Sequence, residues 1–246
     1  MAAFLTMSFT SVAQNKFKGI VKYNVTAEGN DAKEFAAQAT NLEIKVMNDD
    51  VLASGFMTIL LTRSPFVNTI AQSGRTLSVS YDFSQILTAL DMNGVSLTSY
   101  QGKGKMLLKT DITQEMIDSL TIASSEPGYY IEYTDQTKKI AGQEAKLAKI
   151  HINKDDETQT TEEIWYCPTM GPQHNFIFNG IQGVVMEMTI QLDETNSLTL
   201  TASEVVKGKV KEVEFLPPAG FEKTTEEDSQ TFMAELFEEL ENLQEE

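Results

Sequence analysis

Few side chains in this sequence could do covalent chemistry, and its one cysteine and two histidines come first. Cys167, His174 and Asn175 supply the residue types of a nucleophile, a base and an orienting group. Such a triad needs hydrogen-bond contact, which the spacing from a strand into a loop does not provide. His151 lies on the same strand face as Lys149, which indicates a surface position. We therefore predict that Cys167 is a small buried hydrophobe.

Acidic residues are abundant, so pairs of carboxylates alone do not identify a site. Asp155, Asp156 and Glu157 could bind calcium weakly, but they lack the glycine and the spacing of a calcium loop, so a solvated hairpin tip is predicted. The sequence contains no nucleophile elbow, zinc-protease, P-loop or dinucleotide-binding motif. We expect a protein that is not an enzyme and has no metal or cofactor. A hydrolase that uses Cys167 or a carboxylate pair remains a third hypothesis.

Composition narrows the class of protein. The chain has 246 residues, of which 41% are apolar and 22% charged, so it can bury a core and is not globally disordered. Its 19 basic and 36 acidic residues give a net charge of −17, which argues against a nucleic-acid partner. The longest largely apolar stretch, residues 56–61, is far below the roughly 18 residues of a membrane-spanning helix, so no integral membrane segment is predicted.

The first residues indicate export. Residues 2–9 are largely apolar, and Ser11 and Ala13 are small residues placed for a cut before Gln14. A basic start is missing, which predicts a truncated signal peptide over residues 1–13; an ordinary N-terminal strand or frayed tail is the alternative. The single cysteine is in keeping with a periplasmic or secreted protein.

Residues 225–246 form a segment of distinct character. Nine acidic and no basic residues lie within residues 226–246, so more than half of the net charge is there. Apolar residues at helical spacing predict an acidic amphipathic helix. That helix packs on the protein's own sheet, or it acts as a lid or as a docking helix for a protein partner. Its candidate partner-binding residues are Phe232, Leu236, Phe237 and Leu240.

Alternation of apolar and polar residues dominates the middle of the chain and is typical of antiparallel strands with one apolar face. We predict hairpin tips at residues 133–138, 154–160 and 193–196, and a bulge at Gly142. Short helices are predicted at residues 31–40, 84–90 and 111–120. Strands are predicted around residues 17–26, 42–46, 56–62, 76–83, 106–110, 129–134, 140–153, 163–167, 186–192, 198–202 and 210–215.

About ten such strands with few helices predict a mainly β fold of α+β type, formed by residues 14–224 as a single domain. We expect a strongly curved antiparallel sheet, or half-open barrel, with short helices on its concave side. That arrangement leaves an apolar groove, although a filled core without a cavity is the alternative. Among the candidate lining residues named next, Trp165 could instead anchor the core, and the methionines could instead fill gaps in the core. The candidate groove lining is Val21, Tyr23, Val25, Ile44, Val79, Tyr81, Trp165, Met186, Met188 and Leu200.

A family resemblance rests on the order of segments after residue 129. A strand led by residues 139–146 is followed by an acidic tip, by residues 163–166 (EIWY), by residues 180–185 (GIQGVV) and by residues 215–221 (FLPPAGF). This order resembles uncharacterised exported proteins of the LolA-like (lipoprotein-carrier-like) superfamily and, more weakly, the GLPGLI family. Both glycines of the GLPGLI motif match, but Gln182 stands where that motif has proline.

The resemblance covers about residues 17–221 and implies a half-open antiparallel barrel around helices in a periplasmic protein. It also implies an apolar cavity, which the lipoprotein carriers use for acyl chains, and it brings no catalytic residues. We therefore expect an exported, non-catalytic binding module for a lipid or acyl chain. The alternative is a structural or interaction protein of the cell envelope that engages a protein partner through its acidic C-terminal helix.

Overall fold

The computed structural model describes residues 17–55, 57, 60–61, 67–74, 76–82, 105–111, 113–116, 129–153, 159–178, 180–216, 222–223, 227, 231 and 234. Within these, alternation of polar and apolar residues builds strands as expected. In β1 (Lys18–Glu28), for example, Val21 and Tyr23 are buried while Lys22 and Asn24 are exposed. The predicted signal peptide, residues 1–13, lies outside the described residues.

The described residues give the bounds of twelve strands, one α-helix and one 3-10 helix. After β1 come α1 (Asn30–Gln38), β2 (Glu43–Met47), β3 (Asp50–Ser54), β4 (Val67–Ser73), β5 (Thr76–Asp82), β6 (Lys105–Asp111), β7 (Tyr129–Ile140), β8 (Gln143–Asn153), β9 (Gln159–Cys167), β10 (Val184–Gln191), β11 (Ser197–Lys207), a 3-10 helix (Glu212–Phe215) and β12 (Glu222–Lys223).

All the strands belong to one sheet. Its order is β12-β6-β5-β4-β3-β2-β1-β11-β10-β9-β8-β7, and every pair is antiparallel except β12 with β6. β7 and β12 are the edges of the sheet in the described part of the chain, so the sheet is not closed into a barrel. The prediction of a mainly β, antiparallel fold is confirmed, with a sheet that, over the described residues, stays open and does not close into a barrel.

The sheet is strongly curved on its β7 side. In a flat sheet, the four steps from β11 to β7 would separate these strands by about 19 Å. Cα atoms of β7 nevertheless come within 8 Å of Cα atoms of β11. The Lys138 ammonium reaches across β8 and β9, 2.6 Å from the Glu187 carboxylate and 4.2 Å from the centre of the Trp165 ring. These contacts join the edge strand β7 to β9 and β10.

Two details of the β7–β8 hairpin are the reverse of the prediction. The predicted tip at residues 133–138 is instead a bulge within β7, between Tyr133 and Thr137. The predicted bulge at Gly142 is the actual turn, because Ala141 and Gly142 have φ angles of 47° and 76°. Two consecutive positive φ angles are the signature of a two-residue hairpin turn that matches the twist of the strands.

Two other predicted strands were wrong. Met57, Leu60 and Leu61, within the predicted strand 56–62, are helical. Residues 212–215, within the predicted strand 210–215, form the 3-10 helix, in which Phe215 is buried and Val213 is exposed. In both segments the apolar residues fit the spacing of a helical turn as well as that of a short strand.

The predicted helices have different outcomes. The one at residues 31–40 is confirmed as α1, and of the one at residues 111–120 only Gln114 to Met116 are described as helical. The helix at residues 84–90 lies outside the described residues, as does most of the predicted C-terminal helix, 225–246. Glu227, Thr231 and Ala234 are described as helical, and the Thr231 hydroxyl donates to the Glu227 carbonyl at 3.0 Å.

Candidate functional site

Strand register places several of the predicted groove residues side by side on the concave face of the sheet. Val25 of β1 pairs with Leu200 of β11, which pairs with Met188 of β10. Directly paired residues project from the same face, so the three form one apolar row. Leu200 is buried, whereas Val25 and Met188, at the two ends of the row, are half-buried.

A second row on the same face runs the other way from β1. Val21 pairs with Ile44, Ile44 with Ala53, Ala53 with Ile70 and Ile70 with Val79. Val21 and Ile44 have no exposed surface, and Val79 is half-buried. These two rows carry six of the ten predicted lining residues: Val21, Val25, Ile44, Val79, Met188 and Leu200.

The remaining four predicted lining residues have separate positions. Tyr23 and Met186 are buried, and Met186 lies at a bulge where β10 pairs with β9. Trp165 pairs with Glu187 and Leu147, so it lies on the opposite face from its neighbour Ile164 and is not brought to the groove. Tyr81 is in β5, and its side chain is outside the described part, as are the candidate partner-binding residues Phe232, Leu236, Phe237 and Leu240.

Tyr23 joins the two halves of the concave face. Its hydroxyl donates to the Val185 carbonyl of β10 at 2.7 Å, and only 7% of its surface is exposed. Burial raises the pKa of Tyr23, so the phenol is neutral at physiological pH. Because the Tyr23 hydroxyl proton is donated to a backbone carbonyl, the side chain has a packing role and is not available for acid–base chemistry.

The loop between β9 and β10 (residues 168–183, the β9–β10 loop) covers part of the concave face. It places Met170, Ile177, Phe178 and Ile181 in the same core cluster as the sheet residues. The loop is joined to the distant strand β4 through Gln72, whose surface is 1% exposed. Gln72 accepts a hydrogen bond from the Phe176 N–H at 3.1 Å and donates to the His174 carbonyl, as a paired strand would.

Asn175 and Gly183 fix the shape of this loop. The fully buried Asn175 amide donates to the Gly183 carbonyl at 2.8 Å, and its oxygen accepts the Ile177 N–H at 3.1 Å. Gly183 has a φ of 90°, and a Cβ atom there would lie 2.2 Å from the Cys167 carbonyl oxygen. The two glycines of the GLPGLI-like segment, Gly180 and Gly183, therefore serve the backbone of the loop.

Two tyrosines, Tyr133 and Tyr166, lie where the β9–β10 loop meets the edge strand β7. The rings of Tyr133 and Tyr166 pack edge to face at 5.5 Å, and the Tyr133 hydroxyl lies 3.5 Å from the Gly180 carbonyl. Partial burial raises the pKa of Tyr133 to about 12, although a hydrogen bond with the backbone of Gln182 opposes the shift. These two side chains are therefore neutral and aromatic at physiological pH, which suits contact with an apolar molecule.

Helix α1 packs against β1 and β11, next to the first apolar row. Its start is held by the turn between β10 and β11, where the Asn196 side-chain oxygen accepts the Ala32 N–H at 3.2 Å. Asn196 in turn donates to the Asp193 carboxylate at 2.9 Å. A residue distant in sequence thus supplies the cap that Gly29, at the helix N-cap position, cannot.

The residues considered for catalysis have structural partners in the described part of the chain. Cys167 is buried, with its sulfur 3.3 Å from the Thr169 hydroxyl. His151 stacks on Tyr130 and lies 2.9 Å from the Glu132 carboxylate. No group of three or more His, Cys, Asp or Glu side chains in the described ranges could hold a metal ion. Asp155, Asp156 and Glu157 lie outside those ranges.

None of the helices described is both long and apolar enough to span a membrane. No family model matches the sequence, and no curated protein matches it. PNGF-II in its C2 crystal form is similar with a TM-score of 0.48 and 14% identity, over 87% of this chain and 32% of that chain. In the P21 form the TM-score is 0.46 and the identity 16%, over 88% and 33%. This chain therefore spans about a third of the length of PNGF-II.

A weaker structural similarity is to one solved protein of the LolA superfamily. The LolA superfamily protein NE2245 from Nitrosomonas europaea is similar with a TM-score of 0.26 and 13% identity, over 83% of this chain and 91% of that chain. The similarity is of fold alone.

Proposed function

We propose that the chain is an exported, non-catalytic module that binds an apolar ligand such as a lipid or an acyl chain. The observation that carries this proposal is the row Val25–Leu200–Met188 on the concave face beside α1. The middle residue is buried, but Val25 and Met188 keep part of their apolar surface in solvent. A hydrocarbon placed along this row would bury that surface.

The size of the effect is set by the hydrophobic contribution of about 0.8 kcal/mol per buried methylene. Binding next to Val25 and Met188 needs little rearrangement, because these side chains are already partly accessible. Binding against Val21, Ile44 or Met186 would require displacing the atoms that already bury them. The half-buried row beside α1 is therefore the part of the predicted groove that we assign to the ligand.

Binding is tested by native mass spectrometry of the purified chain after incubation with a lipid extract, and by fluorescence titration with a fatty acid carrying a polarity-sensitive dye. We expect one lipid adduct, and weaker dye binding in Met188→Glu, which places a charge in the row. The matched control is Thr189→Glu on the next residue, whose side chain is exposed and on the other face. No adduct with the unaltered chain, or equal binding by both variants, would contradict the proposal.

Export is the second part of the proposal and is supported by the apolar residues 2–9 and the small residues before Gln14. Expression in a Gram-negative host, with a short basic start added before residue 2 to complete the truncated signal, followed by fractionation tests it. We expect periplasmic protein with an N-terminus at Gln14. Full-length protein in the cytoplasmic fraction alone would contradict it.

A second candidate function is a cell-envelope interaction protein with a filled core. It is favoured by the complete burial of Val21, Ile44 and Met186 and by the apolar residues that the β9–β10 loop adds to the core. In this case residues 226–246 engage a protein partner. Deleting them separates the possibilities: loss of a partner with the fold intact supports interaction, and loss of stability supports packing on the protein's own sheet.

A further inference from the structure

The segment that follows β11 combines exposed lysines with exposed apolar side chains. Lys207, Lys209 and Lys211 alternate with Gly208 and Val210, and all three lysines are exposed. Val213 and Leu216, which follow directly, are 64% and 61% exposed. We name Lys18, Lys207, Lys209, Lys211, Val213 and Leu216 the basic–apolar patch. In a chain with a net charge of −17, such a concentration of cations is unusual.

The patch is presented by a well-anchored backbone. Val210 and Phe215 are buried beneath it, and the Glu214 carboxylate accepts the Lys211 N–H at 2.9 Å and pairs with Lys45 at 2.5 Å. The Leu216 N–H donates to the Val213 carbonyl at 3.3 Å. Val213 in the 3-10 helix and Leu216 directly after it are both exposed.

Lys18 extends the positive charge onto the neighbouring strand. Gly19 pairs with Lys207, and the Gly208 N–H donates to the Lys18 carbonyl at 2.8 Å, so the start of β1 lies beside the end of β11. The four lysine side chains are exposed, and in the described part of the chain none of them forms an ion pair. Their charge is therefore available to a partner.

Acidic groups near the patch reduce its charge but do not cancel it. Glu212 is exposed within the same segment, and Glu214, which pairs with Lys45 and also interacts with Lys211, is half-buried there. Asp49 and Asp50, at the turn between β2 and β3, are half-buried. Asp50 accepts a hydrogen bond from the Ser73 hydroxyl at 2.9 Å. Lysine ammonium groups on long stems project farther than these carboxylates. The remaining negative charge of the protein acts weakly at the patch beyond the screening length of about 8 Å.

We propose that the basic–apolar patch docks the protein on a membrane surface rich in anionic lipid. Lysines beside exposed aliphatic side chains match that chemistry, because the ammonium groups attract the headgroups while Val213 and Leu216 enter the acyl boundary. The contact is peripheral and reversible, as only two large apolar side chains insert. It would bring a ligand-binding module to a lipid bilayer, but it does not depend on the proposed ligand site.

Vesicle co-sedimentation of the full chain tests this docking. We expect binding to phosphatidylcholine vesicles that contain phosphatidylglycerol, little binding to pure phosphatidylcholine, and release at high salt. Lys209→Glu/Lys211→Glu should weaken binding by about tenfold or more, and Val213→Ser/Leu216→Ser by a few-fold. The charge-matched control Lys33→Glu/Lys139→Glu, at two exposed lysines elsewhere, should bind like the unaltered chain.

Two results would overturn the docking proposal. One is equal binding by the patch variant and the charge-matched control. The other is no binding of the full chain to anionic vesicles. If a synthetic peptide of residues 226–246 then binds the chain in a way that depends on Lys209 and Lys211, the patch is assigned to the acidic C-terminal segment instead. Failure of fatty-acid binding with intact vesicle binding would count against the proposed function alone.

Discussion

The β9–β10 loop and helix α1 both pack against the sheet, but they are held by different contacts. The loop inserts large apolar side chains, and Gln72 and Asn175 satisfy its buried backbone. Among the α1 side chains that the structure describes, only Ala32 is fully buried, and Phe35 is half-buried. Burial of alanine contributes little compared with burial of isoleucine or phenylalanine. The loop is thus a fixed part of the core, whereas α1 is a weakly anchored cover.

This difference is the reason for placing the proposed ligand near α1. An apolar molecule that entered under the β9–β10 loop would have to replace several buried side chains, each worth about 1.5–3 kcal/mol. Near α1 it meets the half-buried Val25 and Met188. A nine-residue helix also has little stability of its own in water, so it can shift at modest cost.

The strongest test of the comparison is a matched pair of phenylalanine substitutions. Phe178→Ala in the β9–β10 loop should lower the free energy of unfolding by about 3–5 kcal/mol, because Phe178 is 3% exposed and leaves a cavity. Phe35→Ala in α1 should cost about 1–2 kcal/mol, because Phe35 is only partly buried and its removal leaves a smaller cavity. Urea unfolding followed by circular dichroism measures both. Equal losses would mean that the two covers are anchored alike.

The polar anchor of the loop should have the next largest effect. Gln72→Ala removes the acceptor of the Phe176 N–H and should cost about 1–3 kcal/mol. Gln173→Ala, at an exposed glutamine in the same loop, is the control and should change stability by less than about 0.5 kcal/mol. Similar urea midpoints for Gln72→Ala and the unaltered chain would show that Gln72 does not hold the loop.

The cap of α1 gives a smaller, pH-dependent effect. The Thr195 N–H, the Asn196 amide and the Thr195 hydroxyl donate to the Asp193 carboxylate and hold its pKa below the usual value. With the folded pKa lowered, the stabilisation is complete above the unfolded pKa of about 3.9 and is lost as pH falls through the folded pKa.

We therefore expect Asp193→Asn to lower Tm at neutral pH and the difference from the unaltered chain to shrink in acid. Glu194→Gln, in the same turn, is the control and should show no such trend. A Tm difference that stays constant from neutral pH into acid would remove Asp193 from the account of the cap.

The alternation of apolar and polar residues predicted the sheet, because the pattern of burial within a strand follows from its local sequence. The prediction of strands and turns was wrong where the pattern fitted more than one structure. The polar residues 133–138 resemble a hairpin tip, but the turn forms at Ala141 and Gly142, which can adopt the positive φ angles that the two-residue turn needs. Strands β3 and β4 were missed, because Asp50–Ser54 is short and Val67–Ser73 is buried on both faces and does not alternate cleanly.

The contacts that shape the candidate site could not be predicted from the sequence. Gln72 meets the β9–β10 loop over a separation of 102 residues, and Asn196 meets α1 over 164. A glutamine or asparagine in an alternating strand or turn gives no sign of a distant partner. Six of the predicted lining residues lie in two rows on one face, but only the register shows that Val25, Leu200 and Met188 form one row and that Trp165 lies opposite.

Hydrogen exchange measured by mass spectrometry, with and without saturating palmitate, tests the central claim most directly. The claim is that an apolar ligand binds beside α1 and leaves the β9–β10 loop in place. We predict that palmitate slows amide exchange in α1 and in the row on β1 and β10, and leaves exchange in residues 174–183 unchanged. Protection confined to residues 174–183, with none in α1, would contradict the account.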